Sequence, residues 1–304
     1  MPKSYKKYLW AFCLSLLITT LCLILIYQLD KNSTVEHKSL PVNTYALFFL
    51  SVALIYGLST ILWKYFYSLF GRQRSSQDAF LDMGLIAIGK YLPGKIWGIA
   101  LRGSFDQNQL KLDKGRILVS GLEQAFSLVM GILIVSALAL STRWTFGWIF
   151  GSICVISAYF LALLLLPFLK FILSRIKRIQ TDLTMPSVGC RMLLGIGYTL
   201  LWLISAAPIV ILMQSSLTLS TTELISIAAA FLGSMIAGWL ALFAPGGIGV
   251  RESVFVILAP DFLSWDEGLY WIALHRGLFT LFDAFFGLLV LSLIAARART
   301  VSLR

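Results

Sequence analysis

The sequence predicts an all-α, polytopic membrane helix bundle, and three observations carry that expectation. Of 304 residues, 59% are hydrophobic and only 13% are charged, about half the charged share of a soluble domain. The apolar residues gather in runs of about 20, the length that crosses the hydrocarbon core of a bilayer. The net charge of +11 sits in short segments between those runs, as the positive-inside rule requires. That placement makes the charge a matter of topology and argues against nucleic acid as a partner.

The first span is expected from Tyr8 to Gln28. Lys3, Lys6 and Lys7 place the N-terminus in the cytoplasm. The run is too long for a signal-peptide core and lacks a small-x-small cleavage site, so it reads as a retained helix. The second span, Tyr45 to Phe70, returns to Arg72 and Arg74. Residues 79–102, AFLDMGLIAIGKYLPGKIWGIALR, are apolar but interrupted by Lys90, Pro93, Gly94 and Lys95. Basic segments flank them on both sides, so this stretch should enter and leave on the same side, as a re-entrant hairpin with its tip at Pro93-Gly94.

Spans three and four are expected over 117–140 and 145–169, returning to Lys170, Arg175, Lys177, Arg178 and Arg191. Span five covers Met192 to Met213. Residues 223–260 then contain a second limb too short to cross, Ser253 to Pro260. They read as a second hairpin, opening outward, with its tip at Pro245-Gly246-Gly247, although its first limb is long enough to span by itself. The last span, Leu269 to Ala295, ends at Arg297, Arg299 and Arg304 and puts the C-terminus inside.

The expectation is therefore about six full spans plus two re-entrant helical hairpins in one integral membrane domain, residues 1–304. Its first half, 8–140, holds hairpin 79–102, and its second half, 145–295, holds hairpin 223–260. Interrupted helices at corresponding places in two halves of opposite orientation point to an inverted repeat with a central binding site. Two unrelated kinks would give the same pattern.

The two tips hold the candidate chemistry. Pro and Gly free backbone groups from helical hydrogen bonding, which lipid tolerates only where protein or a water-filled cavity re-satisfies them. Each break also starts a half-helix whose free N–H groups favour an anion. Lys95 and Arg251 fall in the first turns of those half-helices, and Lys90 adds a third cation. Glu252 can pair with another cation and leave Arg251 free. Lys90 and Lys95 also suit snorkelling to the interface. Within the spans lie Glu123, His275, Arg276 and Asp283, as candidates for proton coupling or for buried ion pairs, Glu123 with Arg276 among them. Asp283 is two turns past Arg276, so both can face one side of the last span.

Other chemistries find little support. The cysteines Cys13, Cys22, Cys154 and Cys190 form no close pair, and His37 and His275 are the only histidines. No metal site, catalytic triad or cofactor is expected. No phosphate-binding loop, dinucleotide fingerprint or nucleophile elbow is present in the sequence. The tryptophans read mostly as an interfacial belt.

The two tip motifs, KYLPGKIW (90–97) and PGGIGVRE (245–252), resemble the flippase-like transmembrane family named for the membrane region of lysylphosphatidylglycerol synthase. The resemblance runs over roughly Leu9 to Ala295 in length, span layout and motif order, and the second motif is the more specific. It implies that Lys90, Pro93, Gly94, Lys95, Gly246, Gly247, Arg251 and Glu252 are substrate-binding positions. In the synthases that region is thought to move an aminoacylated phospholipid, while a cytosolic transferase domain attaches the amino acid. This sequence stops at Arg304, with no room for a transferase, so lipid lysylation by this chain is not expected.

The expected function is translocation of an anionic phospholipid, or of a polyprenyl-phosphate-linked cell-envelope intermediate, across a bacterial cytoplasmic membrane. A non-transporting partner of a cell-envelope glycosyltransferase, and a lipid-modifying enzyme subunit, are the alternatives.

Overall fold

The computed structural model describes residues 40–91, 96–104, 114–143, 187–241, 244–259 and 262–302, with scattered positions between 149 and 167. The expected first span, most of 145–169, and the tip residues Pro93, Gly94 and Lys95 lie outside the described residues. Among the described residues there is no strand. The helices are α1 (Val42–Leu69), α2 (Ser76–Gly89), α3 (Ile96–Ser104), α4 (Lys114–Arg143), α5 (Val188–Ser205), α6 (Ala207–Gln214), α7 (Thr221–Leu240), α8 (Val250–Leu258) and α9 (Trp265–Ser302). Among the described residues, five helical stretches are long and apolar enough to cross a membrane: Val42–Leu69, Gly115–Ala139, Val188–Gln214, Thr221–Leu240 and Trp265–Arg297. The protein is an all-α, multi-pass membrane helix bundle.

Local signals explain where the helices start. Ser75 caps α2 by accepting from the Asp78 backbone N–H at 3.1 Å. Ser220 and Glu223 form a reciprocal capping box at the start of α7. Ser264 and Glu267 repeat the arrangement before α9: the Ser264 N–H donates to Glu267 at 2.9 Å, and the Glu267 N–H donates back to Ser264 Oγ at 3.3 Å. Expected span five is two helices, not one straight rod. Pro208 has no N–H to offer the carbonyl of Ile204, and the chain kinks at Ala206 between α5 and α6.

Large apolar side chains stay exposed in helical stripes. Leu47, Leu50, Leu54 and Ile61 lie along one face of α1, and Leu193, Ile196, Leu200 and Leu203 along one face of α5. On α9, Phe285 is 69% exposed. In water such stripes would be a liability; against acyl chains they are the expected outer surface.

Both interrupted segments fold back on themselves. α2 packs on α3, where a side chain at Gly89 would overlap the backbone of Gly98. α7 packs on α8 in the same way, with Gly233 against Leu258 and Gly238 against Arg251. The packing between units is crosswise. Each second limb rests on the helix that follows it, α3 on α4 and α8 on α9. Each first limb rests on the closing helix of the other unit, α2 on α9 and α7 on α4. Gly84 meets Val290 and Gly287 meets Ile88 at the α2/α9 contact, which only glycine lets approach so closely.

Among the described residues the core falls into two apolar clusters. One centres on Trp63, Phe66, Phe126 and Tyr198. The other centres on Phe48, Ile209, Phe231 and Phe255. Tyr56, Trp202 and Phe282 pack against both, and the two helix breaks meet near Tyr56.

Candidate functional site

The second tip is built on glycine. α7 ends at Ala241, and a single 3-10 turn, Pro245–Gly247, reverses the chain before α8. Gly246, Gly247 and Gly249 have φ of 58°, 74° and 80°, in the left-handed region that side chains disfavour. The freed backbone groups are re-satisfied by protein. The Gly246 N–H donates to the Lys90 carbonyl at 3.1 Å, which joins the second tip directly to the end of α2, where the first motif begins. The Gly246 carbonyl accepts from Arg276 Nη2 at 3.0 Å, and the Gly247 carbonyl from Nη1 at 3.4 Å.

Helix α9 holds both tips. Arg276 binds the second tip through those carbonyls and also pairs with Glu252. Two turns further on, Asp283 binds the first. Its Oδ2 lies 2.5 Å from Lys90 Nζ and accepts from the Tyr91 hydroxyl at 2.5 Å. Its Oδ1 accepts from the Tyr56 hydroxyl. Lys90 Nζ also donates to the Tyr56 oxygen at 3.4 Å and sits 4.8 Å from the centre of the Phe279 ring, a cation–π distance. Lys90 is therefore turned inward to Asp283 and does not snorkel. Arg276 and Asp283 do share one side of the last span.

With Glu252 committed to Arg276, Arg251 is left over. Its side chain lies flat on Gly238, where any side chain would overlap it, and its Nε is 3.0 Å from where a Cβ on Gly247 would stand. That Nε is buried and has no hydrogen-bond partner. Among the described residues Arg251 has no carboxylate partner. The guanidinium lines a cavity of about 350 Å³ between the tips, together with Lys90, Tyr91, Trp239, His275 and Arg276. The rest of the wall is largely apolar. His275 is 5% exposed, both its nitrogens lack partners, and its ring packs among Phe48, Phe231 and Phe279.

Glu123 does not reach Arg276. It pairs with Arg102 of α3 at 2.7 Å and accepts from the Tyr198 hydroxyl at 2.6 Å and from the Gln124 side chain at 2.8 Å. Arg102 also donates to Ser120 Oγ at 2.7 Å and lies 3.5 Å above the Trp63 ring. Trp63 in turn donates to Asp82 at 3.0 Å, and Arg74 grips the same carboxylate through two bonds of 2.9 and 2.7 Å. This chain of groups ties α1, α2, α3, α4 and α5 together. Trp63 and Trp271 are 1% and 3% exposed, so both face the protein interior.

The site brings together Lys90, Gly246, Gly247, Arg251, Glu252, Arg276 and Asp283. Sequence reasoning missed Tyr56, Tyr91, Asp82 and Arg102. Tyr91 stood inside the first motif, and Arg102 closed the stretch 79–102. Among the described residues no cluster of side chains could hold a metal ion, and Cys190 is a free thiol. The chain matches no protein-family model, no curated protein and no solved structure. The resemblance noted above therefore stands on the sequence alone: its two motifs, their order, and the length and span layout.

Proposed function

We propose that this protein translocates an anionic lipid, or a lipid-linked cell-envelope intermediate, across the cytoplasmic membrane. The observation that carries the reading is Arg251: a guanidinium facing a cavity between two helix breaks with no carboxylate partner among the described residues. An unpaired buried charge costs several kcal/mol, so such a site is built for a charge that arrives from outside. The mostly apolar wall suits the upper part of a lipid.

The crosswise packing of the two hairpins supports an inverted repeat, in which the two units exchange roles as the site opens to either face. In that arrangement α9, bonded to both tips, is the element on which they move. Both termini would lie in the cytoplasm, and a cell-envelope glycosyltransferase is a fitting neighbour if the lipid is a polyprenyl phosphate.

The test is translocation by purified protein in liposomes, with a panel of anionic phospholipids and polyprenyl phosphates. Wild type should move one class, and Arg251→Gln should lose that activity while keeping its fold. Well-folded wild type that moves no lipid would argue for the glycosyltransferase-partner reading. Equal activity in both proteins would keep transport and discard the site.

A further inference from the structure

The charges around the cavity between the tips can be balanced one by one. Lys90, Arg251 and Arg276 carry positive charge there, and Asp283 and Glu252 carry negative charge. Lys90 is paired with Asp283, and Arg276 with Glu252. Among the described residues this leaves one surplus positive charge, on Arg251. His275 adds none, because an imidazole wedged among three phenylalanine rings is neutral at pH 8. The Lys90 side chain is still 33% exposed. An ammonium has three N–H donors, and Asp283 and Tyr56 take two of them, so one remains for a ligand.

Resting on the lipid-translocation reading, we propose that this cavity is a headgroup site selective for singly charged phosphodiester lipids over phosphomonoester lipids. One phosphate oxygen would be bound by the Arg251 guanidinium, and a second would take the free donor of Lys90. A phosphodiester brings one negative charge and balances the surplus found among the described residues. A phosphomonoester, with its second ionisation near pH 6, brings almost two at pH 8. Stripping water from that second charge in a weakly polar enclosure costs more than the one surplus cation, screened by Asp283 and Glu252, can return. Selectivity thus follows from the number of carboxylates on the two tips and α9, and not from the shape of the headgroup.

The experiment measures binding, independent of transport, with purified detergent-solubilised protein at pH 8. The probes are dioctanoyl phosphatidylglycerol and dioctanoyl phosphatidic acid, which have identical tails. Wild type should prefer the diester by about tenfold or more, and Arg251→Gln should bind both weakly. Asp283→Asn and Glu252→Gln each raise the surplus to two positive charges by separate routes. Each should shift the ratio toward phosphatidic acid by about tenfold, with melting temperature and gel filtration reporting on the fold.

Equal binding of the two lipids by wild type would overturn the proposal. So would a ratio unchanged in both folded charge variants, or binding no stronger than that of Arg251→Gln. Selective binding without any translocation in liposomes would sink the transport reading while leaving the site intact.

Discussion

Replacing Asp283 with alanine should be the most damaging single change at the site. Asp283 is 1% exposed and serves three groups: the Lys90 ammonium and the hydroxyls of Tyr56 and Tyr91. Removing one partner of a buried ion pair costs about 3–5 kcal/mol, because the remaining charge is stranded. Here the lower end applies, since the Lys90 side chain is 33% exposed to the cavity. The two tyrosine bonds add less than in a dry soluble core, about 0.6 kcal/mol each by the average for membrane bundles. The expected loss is about 3–4 kcal/mol for Asp283→Ala. Asp283→Asn keeps an acceptor for the tyrosines and should lose less. Much of the damage comes from the stranded lysine, so Lys90→Met combined with Asp283→Ala should be less destabilised than the sum of the single changes, by about 1–3 kcal/mol. Reversible denaturant unfolding in mixed micelles gives all four corners of the cycle. An Asp283→Ala change under about 0.5 kcal/mol, or strictly additive single effects, would refute the reasoning.

Three further outcomes follow from the same geometry. Arg102→Ala strands the buried Glu123 and removes the cation over Trp63; it should cost about 3–5 kcal/mol, seen as a sharp fall in folded yield on gel filtration, with Glu123→Gln milder. Gly238→Val drives a side chain into the space of Arg251 and should abolish lipid translocation, with a stability loss of about 1–3 kcal/mol from the over-packed α7/α8 contact. Gly246→Ala meets both a φ of 58° and the Tyr91 ring 3.3 Å from the new Cβ; a loss of about 1–3 kcal/mol is expected in the same unfolding assay.

Much of the architecture was legible because lipid imposes a simple code. Apolar runs of about 20 residues and basic loops placed α1, α4 and α5 with α6 within a few residues of their ends, and α9 likewise at its start, although α9 continues past Ala295 to Ser302. The interruption at Pro245-Gly246-Gly247 was legible because only glycine populates the backbone found there. The freeing of Arg251 was also foreseeable, since Glu252 follows it directly and cations stood elsewhere in the membrane.

Partner choice was not legible. Arg276 stood as one candidate partner of Glu123 because both lie within spans, yet Arg102 reaches it from the end of a short limb whose exit point no periodicity defines. Tyr56 and Tyr91 look like ordinary apolar-span tyrosines until the fold sets both hydroxyls on one carboxylate, 227 and 192 residues away in sequence. The bond from the Gly246 N–H to the Lys90 carbonyl is a backbone contact, and no side-chain pattern announces it.

The most direct measurement is photocrosslinking with an anionic phospholipid whose headgroup carries a photoreactive group, in membranes containing the protein, followed by peptide mapping. The account predicts adducts on the residues of the inter-tip cavity, Tyr91, Trp239 and their neighbours, and their loss in Arg251→Gln. Adducts confined to the lipid-facing stripes at Leu50, Leu54 and Leu200, unchanged in that variant, would contradict it.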